Sequence, residues 1–259
     1  MKKFQTLAVA GAAALALSAP ASAEYLYGFG SVSVNYLDWT DKTIDRNTID
    51  GNKTKTDFLF LEAEGGAGFT WGDVYGFIDL ENPFAGSDKS NSGDATRVAI
   101  KGTMGINTGI ENVQFYAQNY SIMDSSGFYE NNQVYGVRYN IFTESGFWMK
   151  PFIGVHYAAN NFGFADWNGG MAGYVLGYDF KIGSQKFSVS QWHETEFARD
   201  DAYGENGVHE SNTGHNGAVA LWWHLPNNVT TGLQYRYADA KLGNAAYQDG
   251  LIYTVKYNF

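Results

Sequence analysis

The sequence predicts an all-β fold, a single-chain transmembrane antiparallel β-barrel of about twelve strands, and three observations predict it. The stretch 250–259 is amphipathic at a period of two: Leu251, Tyr253, Val255, Tyr257 and Phe259 share one strand face and Thr254, Lys256 and Asn258 the other, because successive side chains of a strand point to opposite sides. Runs of the same kind recur along the chain, and their connections alternate between long polar stretches and short turns, the layout of an outer-membrane barrel. Beyond the N-terminal segment no stretch has the roughly 18 consecutive apolar residues that a spanning helix needs. A membrane crossing by this chain has to be made by strands.

The N-terminal segment reads as an export signal. Lys2 and Lys3 precede an apolar core from Leu7 to Leu17, and Ala21-Ser22-Ala23 follows it, the order expected of a secretory signal peptide with an A-x-A cleavage site. The expected division is residues 1–23 as the signal and 24–259 as the mature barrel.

Composition narrows the classes. Without Lys2 and Lys3, 15 of the 17 basic residues stand against 27 acidic ones, a formal charge of −12. Such a surface repels nucleic acid, whose binding depends on Lys and Arg neutralising phosphates. There is no cysteine, so no disulfide staples this exported chain and no thiolate zinc site is available. No H-E-x-x-H or P-loop motif occurs, and no metal or other cofactor is called for. Aromatic residues make up 17%, 18 of them Tyr, with 31 Gly and only 4 Pro, which suits aromatic girdles at both membrane interfaces and many tight turns.

Taken in order, the pattern gives a strand over 25–37, a polar run over 38–55, and a strand over 56–63 that sets Leu59, Leu61 and Ala63 against Phe58, Phe60 and Glu62. A tight Gly65-Gly66 connection leads to 71–80, with Val74, Ile78 and Leu80 opposite Asp73, Tyr75, Phe77 and Asp79. After a loop over 81–94, the strand 95–104 opposes Val98, Ile100 and Met104 to Arg97 and Lys101, then turns at 107–109. The strand 113–120 opposes Phe115 to Gln114, Tyr116 and Gln118. A loop over 121–131 precedes 133–141, where Tyr135, Val137 and Tyr139 oppose Arg138 and Asn140.

A turn over 143–146 joins 147–157, in which Met149, Ile153 and Val155 oppose Lys150, Phe152 and His156. Beyond the loop 159–166, the strand 167–180 presents Tyr174, Leu176 and Tyr178 on one face. The strand 186–196 has no clear facing, and the acidic stretch 197–213 follows it. Then come 215–225, with Val219, Leu221 and Trp223 opposite Ala218, Ala220, Trp222 and His224, a tight connection at 226–228, the strand 229–238 with Leu233, Tyr235 and Tyr237 opposite Gln234 and Arg236, and a loop over 239–249. No helix and no internal repeat is expected. An even strand count with short turns on one side places both barrel ends at the periplasmic rim.

Energy then orients the faces. Arg or Lys facing lipid at the midplane costs about 2 to 4 kcal/mol, so Arg97, Lys101, Arg138, Lys150, Arg236 and Lys256 are expected to face the lumen, joined by Glu62, Asp73 and Asp79. The same faces bring in the rings of Phe58, Phe60, Tyr75, Phe77, Tyr116 and Phe152 and the amides of Gln114 and Gln118. Eight-stranded barrels are filled by their own side chains and barrels of 16 to 18 strands hold open channels. About twelve strands with bulky lumen residues should leave a narrow, selective passage for small solutes.

The segment Asp73-Val-Tyr-Gly-Phe-Ile-Asp79, preceded by Phe58-Leu-Phe-Leu-Glu-Ala63 and followed by Gln118-Asn119-Tyr120 and the closing Tyr257-Asn258-Phe259, resembles the Tsx and OmpK family of nucleoside-specific channel-forming proteins. The resemblance implies a monomeric twelve-stranded barrel in the outer membrane of a Gram-negative bacterium. It also implies passive diffusion of nucleosides and deoxynucleosides, without an energy source, and surface loops open to phage or colicin. Contact with outer-membrane lipid and lipopolysaccharide comes with that location, and the terminal aromatic strand is the signal such proteins present to the barrel-assembly machinery. Aromatic faces would stack on the base while charged and amide groups hydrogen-bond the sugar and base edges, each stack contributing about 1 to 3 kcal/mol. Weak sites in series allow both entry and release.

Two other classes are weighed. An outer-membrane hydrolase needs a nucleophile within reach of a base, and Ser211 with His215, or His193-Glu194, are the nearest candidates; the Asp200-Asp201 pair fits a solvated loop better than a catalytic dyad. A structural or adhesive barrel with a plugged lumen is the third class, and the moderate loop lengths speak against it.

Overall fold

The computed structural model describes residues 23–49, 52–84, 95–204, 211–242 and 245–259; the expected signal peptide lies outside them but for Ala23. Twelve long strands form one antiparallel sheet: β1 (Tyr25–Trp39), β2 (Phe58–Phe69), β3 (Gly72–Glu81), β4 (Arg97–Asn107), β5 (Val113–Asp124), β6 (Tyr129–Tyr139), β7 (Phe147–Asn160), β8 (Ala165–Ile182), β9 (Gln185–Phe197), β10 (Gly214–His224), β11 (Val229–Asp239) and β12 (Gln248–Asn258). Each pairs with its neighbours in sequence. β1 also pairs with β12, from Ser31 opposite Asn258 to Trp39 opposite Gly250. The sheet is therefore a closed barrel, and closure removes the unpaired edges that an open sheet would present to lipid.

The period-two pattern decides what faces out. Val32, Val34, Tyr36, Ile78, Phe115, Val137, Ile153, Leu221, Tyr253 and Val255 are exposed on the outer wall, while Ser31, Ser33, Asn35, Gln114, Arg138, His156 and Thr254 are buried inside it. At one end of the outer wall Tyr178, Phe180, Phe187 and Trp223 stack in sequence around three strands. At the other end His193 lies beside Tyr174, His215 and Tyr237, so rings with polar atoms mark each interface, as amphipathic aromatics do.

One rim carries the short turns 70–71, 108–112, 140–146, 183–184 and 225–228 together with the start of β1 and the end of β12. Asn112, Asn227 and Asn228 take positive φ there, as do Gly109, Gly146 and Gly183, conformations that Asn and Gly accept at little cost. The other rim carries the long connections 40–57, 82–96, 198–213 and 240–247 and two four-residue turns, 125–128 and 161–164. The expected alternation of long and short holds at four of these six, with the short-turn rim periplasmic.

Three expectations are corrected. Gly65-Gly66 is not a turn: β2 runs through it to Phe69, and Gly66 instead makes room for the ring of Phe29 on β1. The polar stretch 121–131 is mostly strand. Its connection shrinks to 125–128, because Asn119, Ser121 and Asn131 bond one another on the outer wall, with Asn131 Nδ2 donating to Asn119 Oδ1 at 2.8 Å and Ser121 Oγ at 2.7 Å. Finally, two short helices occur in loops. α1 (Asp41–Arg46) is capped by Thr40, whose hydroxyl accepts from the Thr43 amide, and α2 (Asp201–Gly204) follows β9. Both are too short for amphipathic periodicity to register.

Candidate functional site

The lumen is divided. Lys101 on β4 reaches across to Glu194 on β9, Nζ to Oε1 at 2.5 Å, linking strands five places apart in a ring of twelve. Glu194 is held from two further directions, by Gln118 Nε2 of β5 at 3.0 Å and by Lys241 Nζ at 3.7 Å. Lys241 also pairs with Glu196 at 2.8 Å, and Arg199 pairs with Glu196 at 2.8 Å. Buried charges persist only when paired and hydrogen-bonded, and each of these has a partner, Lys101 across the interior and Arg199 three residues along its own segment.

On the β5–β8 side of this bridge the interior is packed solid. Tyr116, Val134, Phe152 and Met171 form one buried cluster, with the rings of Tyr116 and Phe152 4.7 Å apart. Below it, towards the short-turn rim, Arg138 Nη2 bonds Asp73 Oδ2 at 2.5 Å, Lys150 approaches the same oxygen at 3.4 Å, and Gln114 completes the network. Gly105 is needed here, since a Cβ would stand 2.1 Å from Arg138 Nη2. Above it, Tyr203 of α2 packs with Ala158 and Phe164. These buried groups form a plug on the β5–β8 side.

The other half, walled by β9–β12 and β1–β4, is lined by half-buried groups. Glu62, Glu64, Tyr75, Phe77 and Asp79 come from β2 and β3, and Trp192, Trp222, Arg236 and Lys256 from the strands facing them. Lys256 pairs with Glu64, which also accepts from Tyr75 Oη at 2.9 Å. Both indoles have cations over their rings: Lys101 at 5.7 Å and Arg236 at 5.5 Å for Trp192, Lys256 at 4.9 Å for Trp222. Trp222 Nε1 also donates to Ser190 Oγ at 2.8 Å.

At the long-loop mouth of this half, Arg97 pairs with Glu81 at 2.5 Å and lies 4.7 Å from the ring centroid of Phe58. Phe58 and Phe60 are themselves buried against Leu37, Trp39 and Ile252. Lys55 reaches in from the loop, its Nζ 5.5 Å from the ring centroid of Trp39. Burial, reinforced by Arg97 and Arg236 and only partly offset by Glu81, pushes the Lys55 ammonium down to about 8. Aromatic faces with adjacent charges on one wall of the lumen suit a flat polar solute.

The model of the family described as nucleoside-specific channel-forming protein, Tsx, matches residues 34–259. The chain belongs to that family. It is a passive channel of the Gram-negative outer membrane, and the Tsx resemblance read from 58–63, 73–79 and 118–120 holds across the barrel. Solved structures with a similar outline include an outer membrane channel from Pseudomonas putida F1, 12% identical, covering 93% of this chain and 99% of that one at a TM-score of 0.47. Others are the NanC porin, 10% identical over 87% and 98% at 0.48, and the outer membrane channel DcaP of Acinetobacter baumannii, 12% identical over 93% and 99% at 0.41.

Within this Tsx-family barrel the sequence-derived candidates separate into two groups. All of them lie on lumen faces. Glu62, Tyr75, Phe77, Asp79, Arg97, Arg236 and Lys256 line the unplugged half, with Phe58 and Phe60 packed at its mouth. Asp73, Gln114, Tyr116, Gln118, Arg138, Lys150 and Phe152 belong to the plug and the networks that cap it, and Lys101 stands on the boundary. Trp192, Trp222, Glu64 and Glu194 were not among the candidates. β9 gave no facing because its outward side is polar as well: His193 Nδ1 bonds Tyr237 Oη at 2.8 Å and Thr195 Oγ1 bonds His215 Nδ1 at 3.0 Å on the outer wall. The signal that was present is the alternation Trp192, Glu194, Glu196, in which the two carboxylates must face inward.

The catalytic alternatives find no geometry. His215 bonds Thr195 and Ser211 approaches Thr213, His193 and Glu194 point to opposite sides of the wall, and Asp200 caps the Ala202 amide at 2.9 Å. Among the described residues no cluster of three or more His, Cys, Asp or Glu could hold a metal ion.

Proposed function

We propose that nucleosides and deoxynucleosides cross through the unplugged half of the lumen, the base stacking on Trp192, Trp222, Phe77 and Tyr75 in turn while Glu62, Asp79, Arg236 and Lys256 exchange hydrogen bonds with sugar hydroxyls and base edges. The observation that carries this reading is the pair of half-buried indoles, each with a cation on its face, on the β9–β12 side of the Lys101–Glu194 bridge. An aromatic face recognises any base and a charged group beside it recognises the sugar. Each stack contributes about 1 to 3 kcal/mol, strong enough to select and weak enough to release. The same reading makes residues 1–23 a cleaved export signal, 24–259 the mature protein, and the barrel a monomer that inserts through the barrel-assembly machinery.

The test is flux into liposomes carrying the purified barrel. Labelled nucleoside should enter faster than a neutral sugar of the same size and compete with unlabelled nucleoside, and equal entry of the two solutes would contradict the proposal.

A further inference from the structure

The Lys101–Glu194 bridge does more than join two strands. It crosses the interior between strands on nearly opposite sides, at the boundary between the plug of Tyr116, Val134, Phe152 and Met171 and the half that holds Trp192. Three groups hold Glu194 in place, from β4, β5 and the loop after β11. Lys101 is the member that projects furthest from its own wall, with its ammonium between the Glu194 carboxylate and the Trp192 indole, and it is only partly shielded, at 18% side-chain exposure.

From this placement we infer that Lys101 and Glu194 form a partition that sets the size limit of the channel: Lys101 is a specificity-determining residue that acts by width, and Glu194 is the group that positions it. The inference rests on the lumen being a solute passage but not on which solute passes. With Lys101 shortened, the plug stays packed by its own rings, and the passage widens by the volume of one long side chain beside Trp192. Loss of the bridge leaves the Glu194 carboxylate held by Gln118 and Lys241 alone.

The absence of native cysteine makes a clean test possible. In planar bilayers and in liposome swelling with neutral sugars from pentose to trisaccharide, Lys101→Cys should raise single-channel conductance about twofold and admit a disaccharide that the parent excludes, since conduction follows the narrowest section. Treatment with a cationic aminoethyl thiosulfonate, which builds on the thiol an ammonium arm one atom longer than lysine, should restore both values towards the parent, whereas an anionic sulfonatoethyl reagent should not. Glu194→Gln keeps the shape and the bond to Gln118, and should shift the sugar limit in the same direction by less. A sugar limit unchanged in Lys101→Cys, or one that responds equally to both reagents, would overturn the inference. Because the sugars are not nucleosides, this outcome is independent of base selectivity.

Discussion

Trp222 lies flat against Gly232: a Cβ on that glycine would stand 2.2 Å from the indole Cε3. The glycine on β11 thus sets the height of an aromatic shelf on β10, and Ser190 fixes its rotation through the indole N–H. Gly232→Val should tilt the ring into the passage and lower the affinity with which nucleoside blocks channel current, by about 1 to 3 kcal/mol if the stack is lost. The concentration of nucleoside giving half-block reads this directly, and Gly102→Ala is the control, since a Cβ there meets nothing within 4 Å.

The mouth should respond to pH through Lys55. Its ordinary value of 10.5 is brought down to about 8 in the folded chain, so between about pH 8 and 10.5 the unfolded chain binds the proton more tightly than the folded one. Stability therefore rises as pH increases through that window, and below about pH 8 the charged lysine is a constant cost. Lys55→Met should be more stable than the parent at pH 7, and the difference should shrink towards pH 10.5. Thermal unfolding in detergent across that range checks this.

Outward positions tolerate charge badly. Ile153, midway along β7, is 52% exposed on the outer wall, and Ile153→Lys should cost about 2 to 4 kcal/mol in folding into lipid. Gly154→Lys would fail for a different reason, because a Cβ there already meets the Tyr135 carbonyl oxygen at 2.5 Å, so Val155→Lys is the better companion. Both outward lysines should lower the folding free energy in lipid vesicles, measured by denaturant titration, by similar amounts.

The plug depends on Arg138. Its guanidinium is 5% exposed and serves both Asp73 and Gln114, so Arg138→Ala leaves Asp73 with the longer contacts of Lys150 at 3.4 Å and Gln114 Nε2 at 3.5 Å. A loss of about 3 to 5 kcal/mol in stability is expected. Arg138→Met combined with Asp73→Leu should lose less, since the carboxylate goes with its guanidinium and Lys150 gives up only a 3.4 Å partner. Unfolding of the single and double variants in the same lipid decides it.

Much of this was legible in the chain itself. The strand faces of β2 to β7 and β10 to β12 followed from alternation, because lipid on one side and charge on the other leave no ambiguity at Arg97, Arg138 or Lys256. β9 was opaque because His193, Thr195 and Gln191 place polar groups on the outer wall, where Gln191 bonds Tyr174 Oη at 3.0 Å. The Asn-rich start of β6 looked like loop for the same reason. What no periodicity could give is the division of the lumen. Alternation tells that Phe152 and Phe77 both face inward, but only closure of the ring, with Gly173 leaving space beside Phe152, packs the first into a plug and leaves the second facing the solute path.

The central claim is that solute passes on the indole side of the bridge and not through the barrel as a whole. It is tested most directly by titrating nucleoside against single-channel current for the parent, Trp192→Leu with Trp222→Leu, and Tyr116→Phe. The account predicts that the double indole variant loses nucleoside block by at least about tenfold, on the scale of one to two lost stacks, while Tyr116→Phe binds as the parent does. Equal block in all three would contradict it.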